Sequence, residues 1–94
     1  MASVFIRYRF PDYAAWKQIF DERESVRREY GITGHSVHRD ASDPNVIIIA
    51  LRASSLPRAQ EYAQSDSLRD AMTRAGVEGT PEIWFADDVE EKSY

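Results

Sequence analysis

Val46-Ile47-Ile48-Ile49-Ala50-Leu51-Arg52 opens with the longest aliphatic run in the chain, and its β-branched residues read as a strand. Along a strand, successive side chains point to opposite faces. Val46, Ile48 and Ala50 therefore share one face, and Ile47, Ile49 and Leu51 share the other. Both faces are apolar. An antiparallel sheet with one wet face alternates apolar and polar residues. This strand does not, so it belongs near the middle of a sheet that is covered on both sides. The run is far shorter than the roughly 20 apolar residues a membrane helix needs.

Working outward, Asp40-Ala41-Ser42-Asp43-Pro44-Asn45 is a turn-rich loop. Gly34 to Arg39 before it reads as the other strand of a hairpin. Further upstream, Ser3 to Phe10 reads as a strand that stops at Pro11. Val4, Ile6, Tyr8 and Phe10 share one of its faces, and Phe5, Arg7 and Arg9 the other. Asp12 to Tyr30 reads as one long helix with Asp12 as its N-cap. Tyr13, Trp16, Ile19, Phe20, Val26 and Tyr30 form its apolar stripe. Glu24 with Arg27 and Arg28 is expected to form ion pairs on the solvent side, and Gly31 to end the helix in a left-handed conformation.

Downstream, Ser54 and Ser55 cap a second helix with Pro57 in its first turn. Ala59, Tyr62 and Ala63 are its apolar side. Ser65-Asp66-Ser67 reads as a break and a fresh cap, with Ser67 and Asp70 at capping-box spacing. Leu68, Ala71, Met72 and Ala75 continue the helical period until Gly76. Pro81 to Ala86 reads as the last strand, and Asp87 to Tyr94 as an acidic tail, frayed or lying against a neighbour.

The order β-α-β-β-α-β over residues 1–94 is that of a single α+β, ferredoxin-like domain made of two split βαβ units. Right-handed crossovers place the first and third strands in the centre of a four-stranded antiparallel sheet, with both helices on one face. No residues remain to cover the other face, so a second copy is expected to cover it, making a homodimer.

The chain has no cysteine, which excludes disulfides and thiolate chemistry. Its net charge of −4 argues against nucleic acid, whose binders rely on basic faces. The third strand also lacks the aromatics on which RNA bases stack. The first residues are charged too early for a secretory signal, so a cytoplasmic, non-membrane protein is expected.

The segments Phe10-Pro11-Asp12-Tyr13-Ala14-Ala15-Trp16-Lys17, Arg39 to Asn45, Ser67-Leu68-Arg69-Asp70-Ala71-Met72 and Ala75 to Glu82, with the doubly apolar third strand, carry a resemblance. The chain resembles the dimeric α/β-barrel superfamily, and most of all the small proteins grouped with antibiotic-biosynthesis monooxygenases and cyclases. The resemblance implies two sheets facing each other across a barrel and a small-molecule pocket in each subunit between sheet and helices. No family catalytic set matches residue by residue.

His35 and His38 are the only histidines and are candidate proton carriers. Three apart on a strand, they face opposite sides, which argues against a shared metal; no metal and no cofactor is expected. Arg7, with Arg9, is a candidate anion hook, or else the partner of an interface carboxylate. Tyr8, Tyr62 and Trp84 are candidate substrate-binding aromatics, whereas Trp16 and Phe20 read as core. Two functions compete. One is a cofactor-independent monooxygenase, cyclase or isomerase acting on an aromatic or polyketide-like molecule. The other is a non-catalytic ligand-binding or regulatory module.

Overall fold

In the computed structural model, which describes residues 1–94, β3 (Val46–Ala53) pairs antiparallel with β1 (Ala2–Arg9) along its full length. Ile49 lies opposite Ile6, and Ile47 opposite Tyr8. β2 (Ile32–Arg39) flanks β3, and β4 (Glu78–Asp87) flanks β1, giving the order β2-β3-β1-β4. The first and third strands are central, as the sequence predicts, and the fold is ferredoxin-like.

The helices cover the face that carries Val4, Ile6, Tyr8, Ile47, Ile49 and Leu51. Val4, Phe10, Ile47 and Leu51 are among the side chains fully removed from water; each such burial contributes about 1.5–3 kcal/mol.

The first helix departs from expectation. It is two helices, α1 (Tyr13–Glu22) and α2 (Glu24–Glu29), joined at Arg23, whose backbone lies at φ −100°, ψ 12°. The amide of Arg23 bonds the Phe20 carbonyl at 3.2 Å, one residue short of a helical bond. The stripe therefore turns as it crosses the junction. Arg28 pairs with Glu24 at 3.1 Å as expected. Arg27 does not lie on the solvent side; it is 3% exposed.

The Asp12 cap accepts the Ala14 amide at 3.0 Å. The second helix is likewise divided, into α3 (Leu56–Ala63) and α4 (Asp66–Arg74). The fresh cap is Ser65, which accepts the Leu68 amide at 3.2 Å, and not Ser67.

β4 is longer than the sequence implies. Its pairing with β1 shifts between Arg7–Glu82 and Arg9–Glu78, and Gly79, at φ +71°, takes the left-handed conformation this bulge requires. Pro81 lies on this edge strand beside the bulge, positions where a sheet tolerates proline.

Gly31 is a second left-handed position, at φ +79°, and its carbonyl accepts the Ser54 amide at 2.9 Å. A Cβ at this residue would sit 2.7 Å from Ser54 Oγ. Gly31→Ala is therefore expected to destabilise the fold by about 1–2 kcal/mol from backbone strain alone, read as a lower urea midpoint with an unchanged m-value.

Candidate functional site

Tyr8 on β1 and Tyr62 on α3 both line a cavity between the sheet and the helices. Ile6, Ile49 and Leu51 from the sheet and Leu68, Ala71 and Met72 from the α4 side complete most of its wall. Its volume is about 30 Å³, space for one or two water-sized groups. No histidine or carboxylate lines it.

The indole N–H of Trp16 donates to the Tyr8 phenol oxygen. Burial pushes the Tyr8 phenol above its ordinary range; the Trp16 bond only partly offsets this, and the nearby Tyr62 phenol adds to it. Tyr8 is thus a locked, protonated wall group.

Trp16 stacks on Phe20 with ring centres 4.9 Å apart. The Arg27 guanidinium lies 3.8 Å from the centre of the Phe20 ring, a cation–π geometry, and its Nη1 donates to the Phe20 carbonyl at 2.7 Å. Burial pulls the pKa of Arg27 below its ordinary value, yet a guanidinium keeps its charge in proteins.

Arg23 lines the same cavity. Its Nη1 donates to Ser67 Oγ at 2.9 Å, while its buried Nη2 finds no acceptor in the protein. Sequence reasoning missed both arginines. The signal was present, because Trp16, Phe20, Arg23 and Arg27 follow one another at helical spacings of four, three and four.

The other candidates lie elsewhere. His35 is on the helix side of β2, opposite Leu51, with its imidazole edge-on to Phe20 at 4.9 Å. It borders a separate polar groove of about 400 Å³ that Arg27 also lines, together with Glu24 and Arg28. His38, opposite Ile48, lies on the open face of the sheet and contacts Ser36 Oγ at 2.9 Å.

Arg7 and Trp84 are on that open face too. Arg7 pairs with Glu82 at 3.1 Å and with Asp40 at 3.9 Å, so its partners are carboxylates of its own chain. Arg9 pairs with Asp43. The backbone amide of Asn45, and then Arg9, hold the Asp43 carboxyl below its ordinary range. Trp84 neighbours Phe5 across the strands. The structure thus brings Tyr8 and Tyr62 together and leaves Arg7, His38 and Trp84 on the far side of the sheet. No group of three or more His, Asp or Glu side chains is arranged to hold a metal, and no helix is long and apolar enough to cross a membrane.

Solved structures share this fold. A candidate antibiotic biosynthesis monooxygenase from Deinococcus radiodurans is similar at a TM-score of 0.73 and 15% identity, over 100% of this chain and 98% of that one. Another candidate of the same kind, from Bordetella bronchiseptica, reaches 0.78 at 10% identity, over 95% and 97%. SnoaB, a cofactor-independent oxygenase from Streptomyces nogalater seen in a single-substitution form, is similar at 0.73 and 13% identity, over 96% and 94%. No family model matches the sequence, and no curated protein matches it.

Burial lowers the pKa of the His35 imidazole, and the charges of Arg27 and Lys17 lower it further, against the opposing pull of Asp21 and Glu24. Below about pH 6.5, the ordinary imidazole value, the unfolded chain then binds more protons than the folded one. Stability should fall with pH from there down to the depressed native value and level off below it. Urea midpoints measured across that window are expected to show this slope for the parent chain and a smaller one for His35→Gln.

Proposed function

We propose that this protein binds a small, largely apolar organic molecule in the sheet–helix cavity and acts on it as a cofactor-independent monooxygenase. The observation that carries this reading is the cavity itself, an apolar recess walled by Tyr8, Trp16 and Tyr62, in a fold shared with a cofactor-independent oxygenase. In such a reaction an electron-rich phenol reduces dioxygen directly. One oxygen atom enters the ring to give a quinone, and the other leaves as water with two hydrogens of the substrate. The protein's part is to exclude water and to fix the ring. A ring-sized ligand needs more than the resting volume. Met72 and Ile19, both only half-buried at the cavity wall, are the side chains placed to give way.

A second reading, a non-catalytic binding module, is favoured by one specific observation. The cavity wall holds no imidazole or carboxylate to move a proton, and its Tyr8 phenol holds its proton more tightly than usual.

The open sheet face supports a homodimer. Phe5 and Trp84 are 37% and 48% exposed there, beside Ile48 and Ala50, and no element of this chain packs over them. Arg7, His38 and Trp84 would then face the partner copy and not the sheet–helix ligand. Location in the cytoplasm belongs to the same reading and rests on the sequence alone.

Naphthols and related phenols should raise the melting temperature, since a ligand at a hundredfold excess over Kd adds about 2.7 kcal/mol. Oxygen uptake by that mixture supports the oxygenase; stabilisation without uptake supports the binding module; no stabilisation overturns both. Ala71→Leu, which fills the cavity at a cost of about 1–3 kcal/mol, is expected to fold and to abolish the shift. Sedimentation should show a dimer for the parent chain and a monomer for Trp84→Glu, and a monomeric parent would refute the assembly.

A further inference from the structure

Two guanidiniums four residues apart, Arg23 and Arg27, line one small cavity. Like charges at this helical spacing repel. Arg27 is 3% exposed, and leaving a charge in such a place without a counter-charge is costly. Neither residue has a carboxylate in salt-bridge reach, because the nearby acids are engaged elsewhere: Glu24 by Arg28 at 3.1 Å, and Glu22 by Arg74 at 3.9 Å. The chain carries 16 acidic residues against 12 basic ones, so acids are not in short supply; none is directed at this pair. What the pair does have falls short of its capacity. Arg27 has the Phe20 carbonyl and ring and the Tyr62 phenol beside it, but no carboxylate. Arg23 has one serine hydroxyl, with a buried Nη2 left over.

We propose that Arg23 and Arg27 form the anion-binding end of the sheet–helix cavity, and that its ligand is a small organic acid. The carboxylate or enolate of that acid meets the two guanidiniums, and its apolar body lies along Tyr8, Trp16 and Tyr62. This rests on the cavity reading given above and deepens it by naming the ligand's charge. A planar oxyanion matches the fork of guanidinium donors and offsets the repulsion between the arginines. Arg27 also lines the polar groove that Glu24, Arg28 and His35 border; Glu24 and Arg28 pair with each other there, which leaves the Arg27 guanidinium as the charge without a counter-ion on that side. Once bound, the anion cancels part of the field of Arg27 at His35.

The test uses the full chain and three matched pairs of probes: acetate and acetamide, benzoate and benzamide, 2-naphthoate and 2-naphthamide. At least one acid is expected to bind about tenfold or more tightly than its amide, the margin a charge-assisted bond supplies over a neutral one. Its binding should raise the His35 pKa followed by NMR, which the amide should not do. Arg23→Gln, at a half-buried position, should erase the preference for the acid, so that each acid binds no more tightly than its amide. If acids and amides bind equally, or if Arg23→Gln keeps the preference, the arginine assignment falls and the cavity reading stands. If no probe of any size binds, the cavity reading falls and takes this assignment with it.

Discussion

The antiparallel ladder between β1 and β3 fixes everything around it. Eight residue pairs, from Ala2–Ala53 to Arg9–Val46, set which side chains lie beneath the helices. A slip of one residue would move a strand's entire inward set to its other face, bringing Arg7 and Arg9 under the helices and Tyr8 out to the open side. The far end of the ladder is tied as well. The Phe10 amide donates to the Asn45 carbonyl at 2.9 Å, and the Asn45 side-chain amide donates back to the Phe10 carbonyl at 3.0 Å. The chain therefore leaves β1 at a defined point, and Asp12 stands where it can cap α1.

With the register held, the sheet separates two chemistries. The helix side is apolar, apart from the tyrosines and the two arginines that turn inward at the α1–α2 junction. The open side mixes exposed aromatics with the Arg7–Glu82 and Arg9–Asp43 pairs. Exposed pairs of this kind contribute little to stability.

The fold was legible in the sequence because each of its signals is local. Apolar residues on both faces of Val46–Leu51 marked a central strand, and the 3.6-residue stripe marked the helix on which Trp16 and Phe20 are buried. Pro11-Asp12 and Ser54-Ser55 marked two helix starts. The breaks were less legible. Nothing in the residues around Arg23 resembles a helix terminator, and the bend becomes intelligible only once its side chain is seen reaching Ser67 on another helix. The cavity wall was legible in part. Tyr8 and Tyr62 reach it because aromatic residues on inward faces have few places to go. Arg27 was assigned to water because a charged residue beside Glu24 ordinarily pairs there; the tertiary contact with Phe20 overrides that local preference. Trp84 and Arg7 lie on strands as the sequence implies, but which face of a strand lies under the helices is decided by the crossovers and not by the strand.

The chain's two tryptophans occupy opposite sides of the sheet, Trp16 at 2% exposure beneath the helices and Trp84 at 48% on the open face. Indole emission shifts to longer wavelength as water gains access to the ring. The molecule therefore carries two built-in optical reporters at distinct colours. The shorter-wavelength one is coupled to Phe20 and the Tyr8 phenol, and the longer-wavelength one to whatever comes to rest over Phe5. Events on either side of the sheet can be followed separately in the untouched protein, without attaching a dye.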